Sequence, residues 1–98
     1  MTQRIEWDDA KNGSNREKHG VTFEQASALF TSGDDYLEIL DAAHSDQEDR
    51  FIAIGPIKLG VVLVVWTERD EDIIRIISAR WATKSERARY FEHMKREP

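Results

Sequence analysis

The sequence predicts an α+β fold, in which N-terminal helices precede an antiparallel meander of three to four strands and a C-terminal helix packs on the sheet. Three observations support this prediction. Two early segments carry helix-capping signals, the middle of the chain is rich in valine and isoleucine between short polar turns, and the last segment has apolar residues at helical spacing. Short connections between consecutive strands favour antiparallel pairing. At 98 residues, the chain is expected to form one domain over residues 1–98.

The N-terminal part is predicted to contain a short edge strand at residues 5–7 and two helices. Asp8 is the expected N-cap of the first helix, which runs to about Lys18 before a His-Gly stop. Thr22 to Gln25 form a capping box, in which a threonine is followed three residues later by glutamine. The segment Ser32 to Asp35 ends this second helix.

The strand signals lie in the centre of the chain. Residues 36–40 alternate weakly, and a polar loop follows them. The 50–54 segment is strand-like and is expected to end at Gly55-Pro56, whereas the 61–68 and 73–80 segments are rich in β-branched residues. The meander predicts that the 61–68 strand lies between the other two.

Antiparallel pairing determines which side chains share an end of the sheet. Arg50, Glu68 and Arg69 are expected at one end, with the His44 loop leading into it, and Arg80 at the other.

The last helix is predicted to begin at a second capping box, Thr83 to Glu86, close to Arg80 and Lys84. It has about eleven residues and spans roughly 16 Å, which is about the length of a five-residue strand. We expect it to fold back over the sheet and to return Tyr90 and Met94 towards the Arg50 end.

Charge is divided unevenly along the chain, although the formal net charge is −5. Residues 1–49 contain twelve acidic and four basic residues, whereas residues 50–98 contain ten basic and seven acidic ones. A nucleic-acid binder needs a local cationic field, because phosphate attraction decays over roughly 8–10 Å in physiological salt. The C-terminal half is able to supply that field, and the alternative interpretation is a solvated surface of ion pairs.

Several classes of protein are not supported. The chain has no cysteine, which excludes disulfides and thiolate chemistry. It shows neither a bilayer-length apolar run nor an N-terminal signal peptide, and we expect a cytoplasmic protein. Its three histidines are far apart and no phosphate-binding glycine motif is present, so no metal and no cofactor is predicted.

The basic and polar residues of the chain suit metal-free cleavage of RNA. That reaction needs a base for the 2′-hydroxyl, cations near the phosphate and a proton donor for the leaving 5′-oxygen. Arginine binds phosphate, and glutamate or histidine is able to move protons. The alternative is that Glu68 and Arg69 only pair with neighbours across the strands. The set that we considered comprises Lys18, His19, His44, Arg50, Glu68, Arg69, Arg75, Arg80, Arg87, Arg89 and Tyr90.

The order and spacing of several motifs resemble the BrnT family, the toxins of a bacterial type II toxin–antitoxin system with a RelE-like ribonuclease fold. The resemblance extends nearly from end to end of the chain. The motifs that carry it are Glu6-Trp7-Asp8 with Lys11, Asn15 with Lys18-His19-Gly20-Val21, Phe23 to Ala26, Asp41 to Ser45, Glu48 with Arg50 to Gly55, Thr67-Glu68-Arg69, Ile74 to Arg80 with Ala82-Thr83, and Glu86-Arg87 followed by Tyr90.

This resemblance implies an RNA endonuclease that arrests growth, acts without metal through the neighbouring 2′-hydroxyl, and is neutralised by a BrnA-like antitoxin. In the family that antitoxin carries a ribbon-helix-helix region, so operator DNA is contacted only through it. Together with the chemistry above, the resemblance predicts two sets of residues. The catalytic set is Arg50, Glu68, Arg69, Arg80 and His44, and the RNA-binding set is Lys18, His19, Arg75, Lys84, Arg87 and Tyr90.

Two rival functions stay open at this point. The first is a catalytically inactive RelE-like module that only partners an antitoxin-like protein, which would leave RNA intact. The second is an interaction protein that holds a basic partner on its acidic face and has no growth phenotype. Binding by such a face would weaken steeply with salt.

Overall fold

The fold is described from a computed structural model, which covers residues 4–44, 48–70 and 72–96. In chain order its elements are β1 (Arg4–Glu6), α1 (Asp9–His19), α2 (Phe23–Thr31), β2 (Leu37–Leu40), a short 3₁₀ helix (Ala42–His44), β3 (Arg50–Ile57), β4 (Gly60–Arg69), β5 (Ile73–Trp81) and α3 (Lys84–Arg96). The described strands form one sheet in the order β1-β5-β4-β3-β2. The predicted α+β class is confirmed.

Strands β2 to β5 form the predicted antiparallel meander, and β4 does lie between β3 and β5. The predicted short edge strand is present as β1, which adds a fifth strand to the meander and joins its far edge parallel to β5. Local sequence patterns do not show this pairing, since two helices separate β1 from the other strands. No helix in the described ranges is both long and apolar enough to cross a bilayer.

The predicted helix caps are present. The side chain of Asp8 accepts a hydrogen bond from the Lys11 backbone N–H at 3.1 Å, and Gly20 ends α1 with φ of +72°. Gly20 donates its own N–H to the carbonyl of Arg16. The Thr22 and Gln25 capping box is complete at the start of α2. These groups satisfy backbone donors and acceptors that helix ends leave unpaired.

Strand β3 is longer than predicted, because it continues through Gly55 and Pro56 to Ile57. Asp41 donates its N–H to the carbonyl of Arg50, so even-numbered residues of β3 direct their backbone groups towards β2. The nitrogen of Pro56 therefore points to the side on which β2 has already ended, and no ladder bond is lost there. The prediction that the strand stops at Gly55-Pro56 is wrong for this reason.

The sheet buries a different cluster on each face. On one face, which we call the α2 face, residues of the N-terminal half pack on β3, β4 and β5; the buried members include Val21, Phe23, Ala26, Leu29, Ala53, Val62, Val64, Trp66, Ile74 and Ile76. On the other face, the α3 face, the buried members are Ile54, Leu63, Ala82 and Tyr90. Alternation along the strands assigns odd residues of β3 to the α2 face and even ones to the α3 face.

Helix α3 does not return to the Arg50 end of the sheet. Tyr90 is buried with Ile54 and Leu63, and its hydroxyl donates to the carbonyl of Asp35 at 3.5 Å. Ile54 is four residues from Arg50, which is about 13 Å along a strand. Met94 packs against the same cluster. The prediction of a return is wrong because the apolar stripe of α3 packs on the far half of this face.

Candidate functional site

Two arginines flank a buried threonine in a row across three strands. Arg50 of β3 is paired with Thr67 of β4, and Thr67 is paired with Arg75 of β5. Directly paired residues direct their side chains to the same face of a sheet. Arg50 belongs to the even residues of β3, so the row lies on the α3 face. It occupies the half of that face away from the buried contacts of α3.

Arg69 joins this row through a carboxylate from β1. It lies two residues after Thr67 and therefore shares its face. Its Nη1 atom is 3.7 Å from Glu6 Oε2, and Nη1 of Arg75 is 2.5 Å from the same oxygen. We call Arg50, Arg69 and Arg75 the arginine cluster. Glu6, which the sequence did not single out, contacts two of its three guanidinium groups, those of Arg69 and Arg75.

Thr67 holds the backbone directly before Arg50 in place. Its side chain is only 1% exposed, and its hydroxyl donates to the carbonyl of Asp49 at 2.7 Å. Asp49 directly precedes Arg50, so this bond anchors the start of β3 to β4. Thr67 thus positions Arg50, and its hydroxyl proton is already used in that bond.

A strip of half-buried side chains separates the arginine cluster from the buried cluster under α3. Ile39, Ile52, Val65 and Ser78 are paired in series across β2, β3, β4 and β5, and all four are partly exposed. Their row lies two residues along the strands from the Arg50 row. This half of the face therefore offers cationic groups beside an apolar surface, an arrangement that suits a phosphate and its attached bases.

Comparison with known proteins decides the family. The family model described as "Ribonuclease toxin, BrnT, of type II toxin-antitoxin system" matches residues 7–86, which include the whole arginine cluster. The chain belongs to the BrnT family. It is also similar to the 1.1 Å crystal structure of the Brucella abortus ribonuclease toxin BrnT, with 27% identity and a TM-score of 0.63. That match covers 85% of this chain and all of the Brucella chain. The search of curated proteins found no match to the present chain.

Arg80, another residue expected in the BrnT site, lies at the opposite end of β5. It is five residues from Arg75, or roughly 15 Å along the strand. Its two terminal nitrogens donate to the two carboxylate oxygens of Glu86 at 2.7 and 2.8 Å. Glu86 also accepts the N–H of Thr83 at the start of α3. Arg80 is therefore part of the capping structure of the helix rather than of the arginine cluster.

The Arg80–Glu86 pair perturbs the pKa of both groups. The pKa of Glu86 is lowered to about 2, chiefly by the hydrogen bond from Arg80 and also by the backbone bond from Thr83, against the opposing effect of burial. The same hydrogen bond raises the pKa of Arg80. Both groups stay charged at neutral pH, so neither is a proton donor or acceptor for catalysis there.

Glu68 and His44, the two residues predicted to move protons, lie in different places relative to the arginine cluster. Glu68 follows Thr67 and so projects towards the α2 face, and it lines a small cavity at this end of the sheet together with Asp49, Phe51 and Thr67. His44 ends the 3₁₀ helix that follows Asp41, whose N–H is bonded to the Arg50 carbonyl at 2.8 Å. His44 thus lies three residues after a backbone contact of Arg50, whereas Glu68 projects to the face opposite the arginine cluster.

Of the predicted RNA-binding residues, only Arg75 lies in the arginine cluster. Lys18 and His19 are exposed at the end of α1, which packs along β5 near Ala79. Lys84 is exposed at the start of α3, and Arg87 donates to the carbonyl of Ala82 at 3.0 Å. Tyr90 is 7% exposed and is a core residue, so its ring is not presented to a base.

Sequence reasoning missed Glu6 and Thr67. Glu6 belongs to the Glu6-Trp7-Asp8 motif of the resemblance but directly precedes the residues that the family model matches, and its proximity to Arg75 depends on the parallel pairing of β1 with β5. Thr67 adjoins Glu68 and Arg69, and the strand register alone shows that it is the residue between Arg50 and Arg75. Within the described ranges, no three His, Asp or Glu side chains come together in a group that could hold a metal ion.

Proposed function

We propose that this BrnT-family chain is a metal-independent RNA endonuclease whose phosphate-binding site is the arginine cluster. The single observation that supports this most directly is the convergence of Arg50, Arg69 and Arg75 on one end of one sheet face. Guanidinium groups bind phosphate in a planar, bidentate manner and keep their charge at any physiological pH. Such groups on one end of a sheet face are suited to hold an RNA phosphodiester and to stabilise the charge that builds on it during cleavage.

Cleavage in this site proceeds through the 2′-hydroxyl next to the scissile phosphate. The 2′-oxygen forms a bond to phosphorus as the bond from phosphorus to the 5′-oxygen breaks, which leaves a 2′,3′-cyclic phosphate and a 5′-hydroxyl. The proton of the 2′-hydroxyl passes to a base, and the 5′-oxygen takes a proton as it leaves. The arginine cluster stabilises the dianionic phosphorane-like transition state.

His44 is our candidate for moving these protons. An imidazole with a pKa of about 6.5 exchanges protons near neutrality, which arginine does not do. The other candidates are less suited, because Glu68 projects to the opposite face and the Thr67 hydroxyl already donates to Asp49. Glu6 already holds two arginines, because one of its carboxylate oxygens is 2.5 Å from Arg75 Nη1 and 3.7 Å from Arg69 Nη1. Glu6 is therefore a positioning residue.

The partners follow from the family. We infer that a BrnA-like ribbon-helix-helix antitoxin neutralises the chain, that operator DNA is contacted only through that antitoxin, and that cleavage of cytoplasmic transcripts arrests growth. The rival function is an inactive module that binds the antitoxin and leaves RNA intact. Both functions predict an antitoxin complex, so only RNA cleavage separates them.

The test is cleavage of RNA by the purified chain in the presence of EDTA. Arg50→Ala, Arg69→Ala and Arg75→Ala should each lower the rate on the order of 100-fold, which is typical for removal of one group that stabilises transition-state charge. Arg16→Ala, which removes an exposed guanidinium from α1, is the matched control and should keep the native rate. An RNA with a 2′-deoxy sugar at the cut site should resist cleavage.

Two results would refute this proposal. Intact RNA after incubation with the folded native chain, while the antitoxin still binds, would favour the inactive module. Cleavage that stops in EDTA and returns with added divalent cation would replace the metal-independent mechanism. Circular dichroism of each variant shows that loss of activity is not loss of fold.

A further inference from the structure

The outer edge of β2 has no strand partner in the described part of the chain. β2 is the last strand of the sheet, with β3 on its inner side. Because the N–H of Asp41 is bonded to the Arg50 carbonyl, the alternate residues Ile39 and Leu37 also direct their backbone groups to β3. Glu38 and Leu40 therefore direct their N–H and C=O groups outward, in position to bond another strand.

The opposite edge of the sheet is treated differently. There β1 covers the first part of β5, and beyond β1 the side chain of Asn15 bonds both the N–H and the C=O of Ala79. Proteins usually protect an open edge with lysine, proline or a bulge, because unpaired strands recruit other chains. The edge at β2 is only four residues long and carries Glu38, but it has no lysine, proline or bulge between residues 34 and 40, and Leu40 is 53% exposed.

The open edge is strongly acidic. Asp34, Asp35 and Glu38 are all exposed, and no lysine or arginine lies between residues 34 and 40. The pKa of Tyr90 shows that these charges act on a neighbouring group. Burial raises that pKa, and the negative charges of Asp34 and Asp35 raise it further. A nucleic acid would be repelled here, whereas an extended segment that carries lysine or arginine would be attracted.

We propose that the outer edge of β2 is a docking site for an extended, basic segment of the antitoxin, which adds to the sheet as a further strand. Main-chain bonds to Glu38 and Leu40 provide the pairing, the exposed Leu40 takes an apolar side chain of the partner, and the three carboxylates select a basic sequence. The identity of the partner rests on the proposed function, whereas the position of the site rests on the strand edge alone.

Amide hydrogen exchange tests the pairing directly. The probes are the antitoxin of the same operon, purified in complex with the chain, and a short capped peptide of alternating lysine and valine. In both cases the Glu38 and Leu40 amides should exchange at least roughly 10-fold more slowly than in the free chain. The Leu37 and Ile39 amides, which already bond β3, are the internal control. Unchanged exchange at Glu38 and Leu40 in the antitoxin complex would overturn the proposal.

A proline variant separates the outward bonds from the fold. Glu38→Pro removes an N–H that points outward and leaves the ladder to β3 intact. It should weaken the antitoxin complex at least roughly 10-fold. Retained protection at Leu37 and Ile39 shows that β2 is still paired with β3. Native affinity in that folded variant would refute the site.

A pair of charge variants tests the selection of a basic partner. The triple substitution Asp34→Asn, Asp35→Asn and Glu38→Gln should weaken binding roughly 10-fold at low salt, with the difference shrinking at high salt. The control triple, Asp9→Asn, Glu17→Gln and Asp70→Asn, removes the same formal charge elsewhere. Equal weakening by both triples would show that only net charge matters.

RNA cleavage distinguishes failure of this inference from failure of the proposed function. Glu38→Pro lies outside the arginine cluster and should cleave RNA at the native rate in the absence of antitoxin. Cleavage by the native chain combined with unchanged β2 exchange in the complex would refute only the docking site. Protection at β2 without any cleavage would refute only the ribonuclease.

Discussion

Glu6 of β1 accepts a hydrogen bond from Arg75 of β5 at 2.5 Å, and the same oxygen lies 3.7 Å from Arg69. One carboxylate thus holds two guanidinium groups of the arginine cluster. The side chains of Glu6 and Arg75 are 37% and 30% exposed, so the contact is partly screened by water. Its main effect is on orientation rather than on stability.

We expect Glu6→Gln to lower RNA cleavage by roughly 5- to 20-fold while the fold is retained, because loosely held arginines lose part of their preorganisation. The loss should appear in kcat, since removal of an acid leaves the site more attractive to phosphate and should not raise KM. Steady-state kinetics with a short RNA gives both constants. Arg69 and Arg75 remain in this variant, so a loss as large as that of Arg75→Ala would contradict a positioning role.

The Arg80–Glu86 pair makes the stability of the chain depend on acid. The pKa of Glu86 is about 2 in the folded chain against an ordinary 4.5. Because the folded value is lowered, the stabilisation is fully present above about pH 4.5 and is lost as the pH falls towards 2. Partial exposure of Arg80 reduces the contribution, and we expect it to be on the order of 1–2 kcal/mol.

Glu86→Gln should therefore unfold at lower denaturant concentration than the native chain at pH 7, and the difference should shrink as the pH falls from about 4.5 towards 2. Urea titrations at several pH values measure this difference. Glu17→Gln, which removes an exposed carboxylate from α1, is the matched control. A constant difference between Glu86→Gln and the native chain from pH 7 to pH 3 would contradict the assignment.

The sequence predicted most of the fold because its signals are local. The caps at Asp8, Thr22 and Thr83 depend on residues three positions apart, and the meander depends on short turns between β-branched segments. The register of β3, β4 and β5 then brought Arg50 near Arg69 as expected. The residues that determine caps and short turns lie within a few positions of each other, so they are visible in the sequence.

The remaining features depend on contacts between distant segments. The pairing of β1 with β5 places Glu6 beside Arg75, 69 positions later, and no local pattern indicates it. The pairing of Arg80 with Glu86 was not predicted either, although Glu86 was recognised as the end of a capping box. A motif alone therefore does not show whether an arginine such as Arg80 binds a ligand or stabilises the start of a helix.

Gly55 permits the close approach of α2 and the segment before β2. A Cβ atom at this position would lie 2.6 Å from Leu29 Cδ1 and 2.7 Å from Tyr36 Cβ, both far inside contact distance. Gly55→Ala should destabilise the chain by about 1–3 kcal/mol, as overpacking of a core usually does. Gly13→Ala is the control, since a Cβ there meets no atom within 4 Å. Thermal or urea unfolding of the two variants checks this prediction.

The side chain of Asn15 hydrogen-bonds the backbone of β5 beyond the residues that pair with β1. Its Nδ2 donates to the carbonyls of Val21 and Ala79 at 3.0 and 2.7 Å, and its Oδ1 accepts the N–H of Ala79 at 3.1 Å. The residue is 6% exposed, so few of these groups have access to water. Asn15→Ala leaves them unsatisfied and should cost about 2–4 kcal/mol.

The amide of Ala79 should exchange faster in Asn15→Ala than in the native chain, which locates the damage at the edge of β5. Ser14→Ala, on the adjacent exposed position of α1, is the control and should unfold like the native chain. Asn15→Asp is a sharper test, because it places a carboxylate against two carbonyl oxygens. Burial beside those oxygens raises the pKa of the introduced carboxyl, so this variant should be least stable at high pH and recover as the pH falls through that raised value. Native stability of Asn15→Ala, or pH-independent destabilisation of Asn15→Asp, would contradict the role of Asn15 as a backbone partner of β5.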